Sequence, residues 1–152
     1  MSDSEATRSL VFERTMRHPP EKVWRALTER HLIAEWLLDN DFVPEVGRRF
    51  TLRGAPLPGW SGVVHCEVLA VEPPHRLSYR WGDGTESESG VVTVVTWTLT
   101  PHEGGTRLRF EQSGFRAKDA LAFGRMGDRW PRTLERLEQV LGGARSSAAV
   151  GG

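Results

Sequence analysis

His65 and Glu67 stand two residues apart, so in an extended segment they share a face. An imidazole and a carboxylate placed in this way could pass a proton or supply two ligands to a metal ion. No third ligand stands near them in sequence, and exposure on the outer face of a sheet is the plainer reading. Cys66, between them, points the other way as a small core residue. It is the single cysteine, so no internal disulfide forms, and four zinc ligands at finger spacing are absent. Arg14 falls on the apolar face of the first strand-like run and needs a carboxylate or backbone acceptors there. It is a candidate polar anchor for a ligand; a structural ion pair, or a bulge that turns it outward, competes with that role. Asp39-Asn40-Asp41 and the run Asp83 to Glu88 are acidic but lack the glycine and distal glutamate of a calcium loop. No Ser-His-Asp order or nucleophile elbow occurs, and no helix follows Gly82-Asp83-Gly84 to receive a phosphate. The remaining unusual side chains are six tryptophans. Ordinary core packing is the favoured reading for Trp24 and Trp97. For Trp36, Trp60, Trp81 and Trp130, a cavity or its mouth stands level with core.

These residues sit on elements whose periodicity is clear. Leu10, Phe12 and Met16 alternate in a strand over Ser9 to Met16. Pro19-Pro20 ends it and opens a helix carrying Val23, Trp24 and Leu27. Thr28 reads as the N-cap of a second short helix with Leu32, Ile33, Trp36 and Leu37. Asp39-Asn40-Asp41 reads as a polar break. Strands follow at Arg49 to Arg53, Gly62 to Val71, Arg76 to Trp81, Val91 to Thr100 and Thr106 to Gln112, with turns at Glu72-Pro73-Pro74-His75 and Gly104-Gly105. Leu77, Tyr79 and Trp81 share a face, as do Val91, Val95, Trp97 and Leu99, and Leu108 and Phe110. The last segment repeats Phe123, Trp130, Leu134, Leu137 and Leu141 at helical spacing. Pro131, after Gly124 and Gly127, predicts a kink, or a break with Asp128 capping the second half.

The chain of 152 residues is long enough for one core. Twenty Lys and Arg balance twenty Asp and Glu, so bulk charge offers nothing to nucleic acid. No apolar run approaches the ~20 residues that span a bilayer, and Met1 to Glu5 lacks a secretory pattern. The expectation is a cytoplasmic protein with no membrane insertion. Strands bounded by helices make an antiparallel α+β domain, whose sheet must curve around the final helix. A gap between the two is a common kind of ligand site.

In order and spacing, Leu10-Val11-Phe12-Glu13-Arg14-Thr15-Met16, His18-Pro19, Val23-Trp24-Arg25-Ala26-Leu27-Thr28 and Ala34-Glu35-Trp36-Leu37 match a known family. So do Gly47 with Phe50, Val68 through Leu77 with Trp81, Thr98-Leu99-Thr100-Pro101, Gly104 through Leu108, Ser113-Gly114-Phe115, and Trp130 with Leu134. The chain resembles bacterial members of the activator-of-Hsp90-ATPase-like SRPBCC family, in the START/Bet v 1-like superfamily. Arg129 departs from it, standing where glycine often precedes the helix tryptophan. The resemblance implies a helix-grip fold: a curved antiparallel sheet around a long C-terminal helix, with two short helices after strand 1. The expected layout is a flexible 1–8, a domain over 9–142 and a disordered tail over 143–152.

The resemblance also implies a cavity between sheet and helix for a small hydrophobic or aromatic molecule, such as a lipid-like or polyketide-type natural product. The expected lining is Trp36, Phe50, Trp60, Tyr79, Trp81, Trp97, Phe110, Phe123, Trp130 and Leu134, with Trp60 in an individual mouth or lid. A polyketide cyclase or aromatase, and an Hsp90-type chaperone co-factor, are the alternatives. No catalytic motif, cofactor or metal is expected, and the chain is expected to be a monomer or weak dimer.

Overall fold

The computed structural model describes residues 7–55, 62–82 and 92–142. Expectations for Trp60, for the acidic run after Gly82, for Val91 and for both termini lie outside these residues. Alternation produces β1, Arg8–Met16, with Leu10 and Met16 buried and Phe12 and Arg14 half-buried on one side. Pro19 caps α1, Pro20–Thr28, in extended geometry, and Pro20 occupies the first turn, where its missing N–H costs nothing. The α1 face of Val23, Ala26 and Leu27 is buried.

Thr28 does not cap the next helix. Its hydroxyl donates back to the Trp24 carbonyl at 2.8 Å, a local bond open to a threonine at a helix end. Glu29, extended at φ −94° and ψ 127°, precedes α2, Arg30–Trp36. Ile33 and Trp36 are buried there, and the Trp36 indole donates to the Ala26 carbonyl at 2.8 Å, tying α2 to α1.

Asp39 and Asn40 form a strand rather than a break. This short β2, Asp39–Asn40, pairs with β3, Arg49–Arg53. The polar side chains there serve the backbone. Asp41 Oδ1 accepts the Thr51 N–H at 2.7 Å, and Asn40 Oδ1 accepts the Phe42 N–H at 3.1 Å. β4, Val63–Glu72; β5, Arg76–Gly82; β6, Val92–His102; and β7, Gly105–Phe115, then follow. The seven strands lie in the order β1-β7-β6-β5-β4-β3-β2, and every pair is antiparallel. The chain passes from one edge of the sheet to the other through α1 and α2.

The β6–β7 turn is Glu103-Gly104, both at positive φ (50° and 83°), the two-residue geometry that suits the twist of a hairpin. Gly105 follows because a Cβ there would collide with the Met16 carbonyl of β1.

A 3-10 turn, Ala117–Asp119, leads into α3, Ala120–Leu141. The Asp119 carboxylate accepts the Arg116 backbone N–H at 2.8 Å and its guanidinium at 2.9 Å. The predicted break at Pro131 is absent: α3 is continuous through it, and Asp128 caps nothing. Packing supplies the reason. Trp130, Thr133, Leu134, Leu137 and Leu141 are all buried, so apolar area removed from water outweighs one missing backbone hydrogen bond. Gly127 faces β1, where a Cβ would stand 3.4 Å from Leu10 Cδ2, an ordinary van der Waals distance. No helix among the described residues is long and apolar enough to cross a membrane. The fold is thus the α+β helix-grip arrangement expected from the sequence.

Candidate functional site

The inner face of the sheet is built in cross-strand rows. Trp97 of β6 lies opposite Leu77 of β5 and Phe110 of β7. One row toward the β5–β6 end, Val95 lies opposite Tyr79 and Gln112, and Gln112 pairs with Leu10. In the row beyond that, Trp81 lies opposite Thr93. α3 lays Trp130 over these rows.

Trp130 ring contacts reach Phe110 at 4.2 Å, Trp81 at 5.5 Å and Trp97 at 6.0 Å between centroids. Trp97 also meets Trp36 edge-on at 5.5 Å. A second aromatic group, Phe42, Phe50 and Tyr79, packs at 4.9–6.4 Å between centroids. It joins the first through the Trp97 indole N–H, which donates to the Tyr79 hydroxyl at 2.9 Å. Leu134 is fully buried with them. Phe123 stands apart at the start of α3, half-buried, 5.2 Å from Phe115 and beneath the Arg8 guanidinium at 4.0 Å.

A polar chain runs through the tryptophans. The Trp130 indole donates to Gln112 Oε1 at 2.8 Å, and Gln112 Nε2 donates to Thr93 Oγ1 at 2.9 Å. Thr93 Oγ1 in turn lies 3.4 Å from the Trp81 carbonyl. An indole N–H can only donate, so Trp130 determines which end of the Gln112 amide is oxygen. Gln112 and Thr93 are 1 % exposed. The candidate residues named from sequence omitted both, and Phe42 with them. The signal for Gln112 was present: it continues the inward alternation of Leu108 and Phe110, where a polar residue is out of place. Thr93 likewise precedes Val95, Trp97 and Leu99 on the inward face.

Other candidates resolve otherwise. Arg14 lies opposite Leu108, and its guanidinium donates to the Glu13 carbonyl at 2.9 Å in an exposed position. A backbone acceptor satisfies it, with no bulge at its place. His65 is exposed, and Glu67 pairs with Arg80 at 2.7 Å on the outer face. Cys66 is buried, and burial pushes its thiol up, away from a reactive thiolate. Burial likewise pushes the Tyr79 phenol up. No cluster of three metal-ligating side chains occurs among the described residues. A hollow of about 290 Å³ lies between Thr15–Arg17 and the His102–Gly105 hairpin, and none of the described candidate lining residues borders it.

The fold has counterparts among solved structures. A protein of Mesorhizobium loti, MLL2253, is 51% identical, with a TM-score of 0.81 over 88% of this chain and 96% of that one. BH1534 of Bacillus halodurans is 30% identical, with a TM-score of 0.71 over 88% and 96%. DynU16, from the dynemicin biosynthetic locus, shares the fold at 24% identity and a TM-score of 0.71, over 88% of this chain and 46% of that one. No curated protein matches the chain significantly. The family model for activator of Hsp90 ATPase homolog 1-like proteins matches residues 17–142. Match and fold together mean that the chain belongs to the activator of Hsp90 ATPase homolog 1-like family.

Proposed function

We propose that this protein binds a small hydrophobic or aromatic molecule between its sheet and the first half of α3, without turning it over. One observation carries the reading. The apolar stripe of α3 is seated unevenly. Trp130, Leu134, Leu137 and Leu141 are buried, whereas Phe123 and Met126, on the same stripe, are only half-buried. A stripe that continues past its own cover is the exposed apolar surface expected of a ligand site. Phe115, 5.2 Å from Phe123, supplies a neighbouring aromatic face.

The finer reading is a lipid-like or polyketide-type natural product held for transport, sequestration or self-resistance. DynU16 supports it only as a neighbour of the same fold. Binding is favoured over cyclase chemistry because the interior polar groups are poor proton carriers near neutrality. Tyr79 is held neutral by burial, and Gln112 and Thr93 do not titrate. Removal of apolar area contributes ~25 cal/mol per Å², which places a two-ring aromatic in the micromolar range. The test is a fluorescence titration with an apolar naphthalene probe against the parent, Phe123→Ala and Met126→Ala. Weaker probe binding with an unchanged melt supports the site. Unchanged affinity in both variants places the site elsewhere, and no binding to the parent rejects the ligand reading.

A further inference from the structure

Four arginines of α3, Arg125, Arg129, Arg132 and Arg136, are spaced by four, three and four residues, and all four are exposed. At about 100° per residue they fall within roughly 60° of arc, a single stripe about 16 Å long. That spacing is unfavourable in itself, since like charges three and four residues apart repel along a helix. Acids stand close to the stripe without relieving it. Asp128 is four residues before Arg132 and Glu135 three after, yet Arg125, Arg132 and Arg136 enter no ion pair among the described residues. Arginines of the sheet are paired by contrast, Arg80 with Glu67 at 2.7 Å and Arg109 with Glu111 at 2.9 Å.

The surroundings of the stripe narrow the partner. Leu121, one turn before Arg125, is the most exposed large apolar side chain described, at 69 %. No other large apolar side chain described on α3 is exposed. A protein interface is built around a cluster of apolar anchors, and one leucine does not make a cluster. Asp128, Glu135 and Glu138 all lie to one side of the stripe, by the same helical arithmetic. A nucleic-acid groove closes on both flanks of a helix and would press phosphates onto those acids. A flat surface touches a helix along one line and leaves the acidic flank in water.

We propose that the arginine stripe of α3 docks this protein on an anionic lipid bilayer, with the guanidinium groups at headgroup level and Leu121 at the edge of the acyl chains. Guanidinium meets phosphate oxygens through parallel N–H bonds. The negative surface potential of such a bilayer attracts each nearby arginine and offsets their mutual repulsion. The chain stays outside the hydrocarbon core. The docking is independent of the ligand reading above, and either stands if the other falls.

Flotation of the full-length protein tests it, with vesicles of phosphatidylcholine alone and of phosphatidylcholine mixed with phosphatidylglycerol. Binding is expected on the mixed vesicles only, weakening as salt is added. Arg132→Gln/Arg136→Gln is expected to bind about 25-fold more weakly, about fivefold for each charge removed, and to melt no lower than the parent. Arg107→Gln changes an exposed arginine of β7 and is expected to bind like the parent. Leu121→Ala is expected to weaken binding while leaving its salt dependence in place. Absence of binding to the mixed vesicles overturns the proposal. Equal binding to both kinds of vesicle overturns it too, since charge would then not be the attraction. Equal losses in the Arg107 variant and the double variant remove the stripe as the site. Tighter binding of a duplex oligonucleotide or of polyglutamate than of the mixed vesicles overturns the lipid partner.

Discussion

Trp97 Nε1 and the Tyr79 hydroxyl meet at 2.9 Å where both side chains are almost completely buried. Tyr79→Phe would leave the indole N–H bare, and a buried donor without a partner costs about 1–3 kcal/mol. We expect that loss in urea unfolding, with partial recovery in a Tyr79→Phe/Trp97→Phe double variant that removes both polar groups. Tyr79 is also the single tyrosine. Its phenol is pushed up by burial, so the native state holds the proton more tightly than the unfolded chain does. Stability from this source is complete below the unfolded value of about 10 and falls as pH rises above it. Phenolate absorbance is therefore expected to appear only as the protein unfolds. A smooth rise near pH 10 with intact near-ultraviolet dichroism would refute the buried placement. At this scale the sequence was uneven as a guide. The inward tryptophans were legible from alternation and helical spacing. Their rings' mutual contacts and the Gln112–Thr93 link were not, because they join β6, β7 and α3 across long sequence separations.

α3 is one helix with two kinds of environment. Its first turns, through Arg129, include no fully buried side chain, whereas Trp130 onward is firmly seated. Amide exchange is expected to be faster over residues 122–128 than over 134–140, since local opening follows the density of buried contacts. Equal protection would contradict the uneven seating on which the ligand site depends. The Arg116–Asp119 contact staples the helix start. Asp119 is held below the usual carboxylate range chiefly by the hydrogen bond from the Arg116 side chain. Its stabilisation is thus full above the unfolded value of about 4 and fades as pH falls through the lower folded value. Asp119→Asn should lower stability by about 1–2 kcal/mol at neutral pH and flatten the acid limb of the stability curve. Strand faces and the α3 stripe were readable because periodicity is local. Thr28, β2 and the break at Pro131 were misread because tertiary contacts overrode local preference. A threonine bonded backward, a two-residue strand borrowed its partner from β3, and a proline stayed inside a helix held by its buried face.

For the whole molecule, the sheet depends on α3 for its cover. A chain ending before Asp128 would lose Trp130, Leu134, Leu137 and Leu141 and expose the Trp97–Phe110 floor. It is expected to lose its sharp melting transition, and an equally cooperative melt would refute the sheet-and-helix core. The topology also bears on how the protein is made. β1 pairs along its whole length with β7, Arg8 against Phe115 and Met16 against Thr106. β1 leaves the ribosome well before β7 and therefore waits for it. At roughly 5–20 residues per second, the ~100 residues between them take about 5–20 s to synthesise. Throughout that interval Leu10-Val11-Phe12 is an apolar β-segment with no partner, the kind of edge that joins other chains. The nascent chain is thus most vulnerable before its final strand appears, and synthesis rate, rather than native stability, sets how long that exposure lasts.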